Sequence, residues 1–195
     1  MEPVLSRSLI WRCLVRMGPP ALRSTNVMRY KALLDEAMTL AKRRDFKRSE
    51  SLLREVLDAQ PDNVPALDLL GYVLYFQDRA TEAETVCRQT LELKPGHAYA
   101  LKGLGLCMAK RGRVDEAVET IEAAIAAKPD WFDPYWDLCV TLVDAGRHAD
   151  ACAVMKRARE AIPSRAGDWE RMERHARTMG ARQLQQKPDL SNEKS

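Results

Sequence analysis

Four prolines recur on a single period of 34 residues, at positions 61, 95, 129 and 163. A repeat of this length is typical of stacked helical hairpins, because one hairpin cannot bury its apolar face alone. Proline also disfavours helix in the residue before it, so each of the four positions is predicted to end a helix. The chain is therefore expected to contain successive copies of one helical hairpin.

Segment 101–129 is one complete copy of this hairpin. Its apolar residues follow helical spacing, Gly112 interrupts the pattern, and a second helical pattern through Ile121 then leads to the proline. Gly105 and Ala117 are small residues on the two facing helices. Small side chains at a helix crossing let the two backbones approach closely. The two helices are therefore predicted to cross at this pair.

The repeated pattern resembles that of the tetratricopeptide repeat family, W-x2-L-G-x2-Y, then A-x3-F, then P, on the same period. The motif positions are filled in the copy before this segment by Leu67, Leu70, Gly71, Leu74, Ala83 and Cys87, and in the copy after it by Tyr135, Leu138, Cys139, Leu142, Ala151 and Met155. Because Tyr135 fills a motif position, it is expected in the core rather than in a ligand cage.

The first copy departs from this motif. Glu36 and Ala37 stand where Leu-Gly is expected, and Ser49 replaces the alanine of the second helix. Terminal repeats are commonly atypical, because one side of them faces solvent. The resemblance predicts four repeats, at residues 30–63, 64–97, 98–131 and 132–165.

The sequence after the last repeat predicts one more helix, over residues 166–186. Trp169 and Met172 arrive at the spacing of the motif, but no second helix completes the unit. An added helix of this kind covers the apolar face of the last hairpin. The resemblance thus implies an all-α protein, a right-handed α-solenoid of tetratricopeptide-like hairpins with a C-terminal capping helix. Residues 187–195 are polar and are expected to be disordered.

Residues 1–29 form a basic, amphipathic arm in which arginines outnumber the acid Glu2. This composition resembles a mitochondrial transit peptide. A capping helix on the first repeat, a disordered arm, and translation that starts at Met17 or Met28 are the alternatives. We expect a cytoplasmic protein, or a mitochondrial one if the arm is a transit peptide. The apolar run is too short and too interrupted for a membrane span.

Composition favours no nucleic-acid or membrane-surface partner, because the net charge is only +3 and acids and bases are interspersed. The five cysteines show no paired motif and are interpreted as small buried hydrophobes in a reducing compartment. The three histidines are scattered, and His97 and His148 are expected to be solvated in or beside turns. No metal, cofactor or catalytic pattern is found, so an enzyme is not predicted.

The resemblance also implies where a partner binds. In tetratricopeptide arrays the first helices of successive hairpins line a concave groove, which typically holds a peptide or a partner helix. The groove side of these helices is apolar and aromatic with several acids, and its residues are Leu34, Met38, Asp68, Leu69, Tyr72, Tyr75, Phe76, Tyr99, Lys102, Leu106, Asp133, Trp136, Asp137 and Val140. Such a surface favours a hydrophobic or amphipathic segment of a protein. Alternatively, the chain's own N-terminal helix covers part of it.

The chaperone-binding members of this family grip a C-terminal carboxylate with Lys, Arg and Asn. In this chain Gly103, Asp133 and Asp137 stand where such groups are wanted, so chaperone tails are not the expected partner. The leading hypothesis is a non-catalytic adaptor or assembly chaperone that holds a partner segment in the groove. The alternative is a structural subunit of a larger complex that self-associates, for example as a homodimer.

Overall fold

The computed structural model describes residues 20–186, and at residues 20–25, 166, 169 and 179–186 it describes the backbone alone. Expectations for residues 1–19, for residues 187–195 and for the side chain of Trp169 lie outside the described residues. The described part contains nine α-helices: α1 (Pro20–Lys42), α2 (Phe46–Ala59), α3 (Val64–Phe76), α4 (Ala80–Leu93), α5 (Ala98–Lys110), α6 (Val114–Ala127), α7 (Phe132–Asp144), α8 (His148–Ala161) and α9 (Ala166–Gln186).

These helices form four consecutive hairpins and one final helix, and a short 3-10 helix (Pro163–Arg165) precedes α9. Residues 20–186 contain no strand. The predicted class, an all-α solenoid of helical hairpins with a C-terminal capping helix, is confirmed. The chain divides into two compact units, the first ending at Ala66 and the second beginning at Leu67.

The first unit contains the hairpin α1–α2. Its first helix is described from Pro20, ahead of the repeat boundary expected at residue 30. Ala37 and Ser49 are fully buried, and the Ser49 hydroxyl donates a hydrogen bond of 2.8 Å to the backbone oxygen of Ala37. The atypical pair of the first repeat therefore brings the two helices together through a hydrogen bond.

The turns within the hairpins share one backbone conformation. The residues with positive φ in these turns fall on the 34-residue period, and they are Arg44 (φ 64°), Asp78 (φ 65°), Gly112 (φ 77°) and Gly146 (φ 75°). The ends of the second helices are equally regular. Each residue before a periodic proline has left the helical region, which a following proline disfavours: Gln60 (φ −136°), Lys94 (φ −140°), Lys128 (φ −147°) and Ile162 (φ −135°).

In the second unit, α5 and α6 make the close approach that the sequence predicted. A Cβ atom placed on Gly105 would lie 2.5 Å from Ile121 Cγ1 and 3.1 Å from the backbone oxygen of Ala117. Both distances are shorter than van der Waals contact. Only glycine fits here without a shift of the α6 backbone.

A buried carboxylate links the second hairpin to the third. Glu84 of α4 is 1% exposed and pairs with three arginines, Arg88 on its own helix and Arg111 and Arg113 at the α5–α6 turn. The Arg113 Nη1 atom lies 2.8 Å from Glu84 Oε1. Because a buried charge is tolerated only when it is paired, this cluster fixes the turn against α4.

Helix α9 covers the last hairpin. Met172 is fully buried and belongs to the same core cluster as Tyr135, Leu138 and Met155. Burying a side chain of this size contributes about 1.5–3 kcal/mol. The structure therefore agrees with the prediction that α9 caps the array and that Tyr135 is a core residue.

Candidate functional site

The second unit contains a cavity of about 610 Å³, which we call the inner groove. Residues of α3, α5 and α7, the first helices of three successive hairpins, supply most of its lining. Ten residues predicted for the groove line it: Asp68, Tyr72, Tyr75, Phe76, Tyr99, Lys102, Leu106, Trp136, Asp137 and Val140. A volume of 300–1,000 Å³ is usual for binding pockets, so the inner groove has room for several side chains of a partner.

Aromatic side chains form one wall of the inner groove. Tyr72 and Phe76 are one helical turn apart on α3, with ring centroids 4.6 Å apart, and Tyr75 meets Phe76 edge to face at 5.3 Å. Tyr72 is 37% exposed, Phe76 45% and Tyr99 of α5 38%. The wall therefore presents apolar surface to solvent on a rigid helical support.

Two glycines open the floor of the groove. A Cβ atom on Gly103 would lie 3.0 Å from Cys87 Sγ, and one on Gly71 would lie 3.4 Å from the same atom. Because no side chain stands at these two positions, Cys87 of α4 reaches the cavity lining. From the sequence, Cys87 was expected only in the core; the glycine at position 103 was the signal that could have placed it at the groove floor.

The thiol of Cys87 remains protonated. Its pKa is raised by a hydrogen bond with the Cys107 thiol and by burial. Both cysteines are free and buried, while Cys152 is free and exposed. A protonated, buried thiol is a poor nucleophile, so Cys87 contributes packing and shape to the groove rather than reactivity.

Lys102 lies in a cluster of aromatic and acidic groups. Its Nζ atom is 3.3 Å from Asp137 Oδ2, 5.6 Å from the centroid of the Tyr99 ring and 5.2 Å from that of the Trp131 ring. The Tyr99 and Trp131 rings are themselves stacked, with centroids 5.6 Å apart. Cation–π contacts and the ion pair together hold the lysine at the groove wall.

Lys110, which the sequence analysis did not include, is also engaged. Its Nζ atom lies 2.6 Å from Asp78 Oδ1, 4.8 Å from the centroid of the Tyr75 ring, and 3.3 Å from the Tyr75 backbone oxygen, to which it donates a hydrogen bond. Asp78 sits at the turn after α3, so this contact ties the end of α3 to the end of α5. Lys110 was missed because it lies in the last turn of its helix, outside the motif spacing.

Asp68 and His97 form a pair that the sequence analysis did not foresee. Nε2 of His97 lies 2.7 Å from Asp68 Oδ2, and both side chains are less than one-fifth exposed. The expectation that His97 is simply solvated is wrong, because the turn before α5 brings its ring against the first turns of α3. Oδ1 of Asp68 is buried and has no hydrogen-bond partner among the described residues.

The inner groove has an acidic character. Burial raises the pKa of Asp68 and of Asp137, and this effect outweighs the opposing contacts of Asp68 with His97 and of Asp137 with Lys102. The pKa of Tyr99 is raised by burial and then by Asp68, among other neighbours. Asp133, one helical turn before Asp137 on α7, further raises the Asp137 pKa. Burial is the largest cause of each shift. The charged residues that line the groove are three carboxylates and two lysines, so negative charge is in slight excess: Asp68, Asp137, Asp144, Lys102 and Lys110.

Four residues predicted for the groove are not among its lining residues. Leu69 is half-buried, on a different side of α3 from its neighbour Asp68, and Asp133 is exposed in the first turn of α7. Leu34 and Met38 belong to the first unit, in which Met38 is 44% exposed. Their part in binding stays a prediction.

Trp136 connects the groove to the capping helix. It lines the cavity, and its ring lies 5.8 Å from that of His175 and 5.8 Å from the guanidinium carbon of Arg171, both on α9. A cation and a ring from α9 therefore hold this groove residue in position. The capping helix supports the site as well as the core.

A second cavity of about 600 Å³ lies among α7, α8 and α9 and includes His148, Cys152 and Met155. Charged side chains at its rim are paired with one another, as Arg159 and Arg177 are with Glu173. In residues 20–186 no group of three or more His, Cys, Asp or Glu side chains is placed to hold a metal ion. No described helix is both long enough and apolar enough to cross a membrane.

Two family models of the tetratricopeptide repeat match the chain, one over residues 34–98 and the other over residues 74–142. Together they span more than half of the sequence. The comparison with curated proteins found no match.

Solved structures share the fold. MamA from Desulfovibrio magneticus RS-1 matches with a TM-score of 0.61 and 22% identity, over 82% of this chain and 94% of that chain. YrrB, described as a TPR protein with an unusual peptide-binding site, matches with a TM-score of 0.60 and 20% identity, over 76% of this chain and 74% of that one. A mutant O-GlcNAc transferase from Thermobaculum terrenum matches with a TM-score of 0.61 and 28% identity, over 69% of this chain but only 26% of the enzyme.

Proposed function

The chain belongs to the tetratricopeptide repeat family, and on this premise we propose that it is a non-catalytic adaptor or assembly chaperone. In this proposal the inner groove holds a hydrophobic or amphipathic segment of a partner protein. Members of the family generally mediate contacts between proteins, and YrrB, which has a similar fold, is described as having a peptide-binding site. Both facts support a peptide segment as the class of partner.

The observation that carries the proposal is the aromatic wall beside a cavity of about 610 Å³. Tyr72, Phe76 and Tyr99 expose large apolar surfaces on one side of the second unit. Tyrosine and tryptophan dominate the energetics of many protein interfaces, because they bury large areas at a small cost in conformational entropy. A segment with apolar side chains one helical turn apart would cover this wall.

A non-catalytic role is supported by the state of the polar groups in the groove. The Cys87 thiol is held protonated, because its pKa is raised by the hydrogen bond with Cys107 and by burial. Asp68 and His97 are hydrogen-bonded to each other. Neither arrangement supplies an activated nucleophile.

The proposal is tested by capturing partners on the immobilised full chain, followed by mass spectrometry. The variant Tyr72→Ala/Phe76→Ala removes the aromatic wall, and Leu93→Ala is the control, since Leu93 is 41% exposed but does not line the groove. We expect the double variant to capture at least about tenfold less of the partner than the wild type, while the control captures the wild-type amount. Equal capture by all three proteins would refute the proposal, provided that circular dichroism shows each to be folded.

The alternative expected from the sequence, a self-associating structural subunit, predicts a different result. Light scattering would then show a dimer that survives dilution. The adaptor predicts a monomer that binds a different protein.

A further inference from the structure

Both lysines that line the inner groove already have acidic partners. Lys102 pairs with Asp137 at 3.3 Å and Lys110 pairs with Asp78 at 2.6 Å. Lys102 also lies against the Tyr99 and Trp131 rings, and Lys110 lies against the Tyr75 ring. These two cations therefore have little capacity left to attract an acidic ligand.

Asp68, in contrast, has one carboxylate oxygen without a hydrogen-bond donor among the described residues. Its Oδ2 atom takes the His97 contact, while Oδ1 is buried and lacks a hydrogen-bond donor in the described part of the chain. The side chain is 17% exposed and lines the groove. An acceptor without a donor is costly, so a small turn of this partly exposed carboxylate toward a donor on a ligand is favourable.

The groups around Asp68 suit a cation. Tyr72 follows Asp68 by one helical turn on α3, so that the two side chains are neighbours. Tyr99 lies close enough for the Asp68 charge to raise the pKa of its hydroxyl, after the larger effect of burial. A carboxylate beside aromatic ring faces binds a guanidinium or ammonium group by an ion pair and by cation–π attraction at once.

We propose that the partner segment carries an arginine or lysine next to its apolar anchors, and that Asp68 binds this cation when the segment lies in the inner groove. The inference rests on the proposed function and names the chemistry of its partner. The aromatic wall then provides affinity, and Asp68 selects basic over neutral or acidic segments. An acidic segment would meet the excess of carboxylates without a free cation among Lys102 and Lys110.

The test begins with a displayed library of random 16-residue peptides selected on the full chain. Peptides that also bind the Tyr72→Ala/Phe76→Ala variant are discarded, which leaves those that depend on the groove. We expect arginine or lysine to be enriched at a fixed spacing from an aromatic or leucine residue. The best peptide is then synthesised in two forms, with its basic residue intact and with the neutral analogue, citrulline for arginine or norleucine for lysine.

Both peptides are titrated against the wild-type chain, Asp68→Asn and Asp115→Asn by fluorescence anisotropy. Asp115→Asn is the matched control, because it removes the same charge from a side chain that is 94% exposed and outside the groove. The neutral peptide should bind wild type and Asp115→Asn about tenfold more weakly than the basic peptide does. The affinities of the two peptides for Asp68→Asn should differ by less than about twofold, because the carboxylate charge that favours the basic peptide has been removed.

Two outcomes separate this inference from the proposed function. The role of Asp68 would be overturned if the groove-dependent peptides showed no enrichment of basic residues. It would also be overturned if the neutral peptide lost the same affinity on all three proteins. In either case the groove would remain a binding site. Failure to select any groove-dependent peptide would overturn the proposed function, and the inference with it. The thermal midpoint of Asp68→Asn shows that the variant is folded.

Discussion

The hairpins α1–α2 and α5–α6 differ in chemistry at the point where their two helices cross. In the first, Ala37 meets Ser49 and the hydroxyl donates a 2.8 Å hydrogen bond to the backbone of α1. In the other, Gly105 leaves room for Ile121, and a single added methyl group would lie 2.5 Å from it. A hydrogen bond at one crossing and close packing at the other thus bring the helices together at equivalent positions.

The turns of the same hairpins differ in a related way. Arg44 and Gly112 occupy equivalent positions of the repeat, and both have positive φ, 64° and 77° respectively. Glycine adopts positive φ without strain, whereas an L-residue with a side chain pays about 1 kcal/mol for it. From one hairpin to the next, the backbone geometry of crossing and turn is therefore kept while the side chains at these positions differ.

The largest effect is expected at the buried carboxylate. Glu84→Gln should lower the free energy of unfolding by about 3 kcal/mol at neutral pH, because it breaks a buried charge cluster. The equivalent change one repeat earlier, Glu50→Gln, should cost less than about 1 kcal/mol, because the partner arginine, Arg54, is half exposed. Urea titration of both variants measures the difference.

The cost of Glu84→Gln should also depend on pH. Burial raises the Glu84 pKa, but the hydrogen bonds from Arg111, Arg113 and Arg88 lower it more, so the folded-state pKa lies below the ordinary value. The stabilisation is therefore present above the unfolded-state pKa and is lost as the pH falls through the folded-state pKa. The difference in stability between the wild type and the variant should begin to shrink below the usual glutamate pKa of about 4.3 and should vanish only below the lowered folded-state pKa. A gap that stays constant down to acidic pH would contradict this account.

The next effect concerns two glycines at equivalent positions of the repeat, Gly71 on α3 and Gly105 on α5. Gly105→Ala should destabilise the chain by about 2 kcal/mol, because the added methyl overpacks against Ile121 and the α6 backbone. Gly71→Ala should be neutral or stabilising by about 0.5–1 kcal/mol, since its methyl would make ordinary contacts with Cys87 Sγ at 3.4 Å and Val86 Cγ1 at 3.9 Å, and alanine favours helix. Similar costs at both positions in a denaturant titration would mean that the crossing at Gly105 is not tight.

A smaller effect is expected in the first hairpin. Ser49→Ala should cost about 1 kcal/mol, because it removes the buried hydrogen bond to Ala37. Thr39→Ala is the control, since its hydroxyl bonds to the backbone of its own helix at an exposed position. If Ser49→Ala were stabilising, the alanine of the standard repeat would serve equally well there, and the contrast between the two crossings would disappear.

The smallest effect lies in the turns. Arg44→Gly should stabilise the chain by about 0.5 kcal/mol, and Gly112→Ala should destabilise it by about 1 kcal/mol, because only glycine adopts positive φ without strain. Thermal melts of both variants detect changes of opposite sign. A loss of stability in Arg44→Gly would show that the arginine side chain contributes more than its backbone strain costs.

Much of the fold could be predicted from the sequence, because the repeat period alone places the turns and the prolines. Leu67, Leu70 and Leu74 are each at most 4% exposed, as their motif positions required. The family resemblance, combined with helical spacing, predicted ten of the residues that line the groove. These features depend on neighbours within one or two helical turns, which a sequence pattern encodes directly.

The rest of the site depends on contacts between hairpins. Asp68 and His97 are 29 positions apart and meet only because the turn before α5 folds back on α3. Cys87 reaches the groove because Gly103, on a different hairpin, leaves space above it. No helical spacing within a single segment signals such contacts, since both depend on how two hairpins pack.

The central claim is that a partner segment lies in the inner groove, and photocrosslinking tests it most directly. A photoreactive benzoylphenylalanine is placed at Tyr72 in one full-length protein and, as the control, at Leu93 in another. The account predicts that irradiation in cell extract joins a partner peptide to position 72 and not to position 93. Crosslinks from position 93 together with none from position 72 would contradict it.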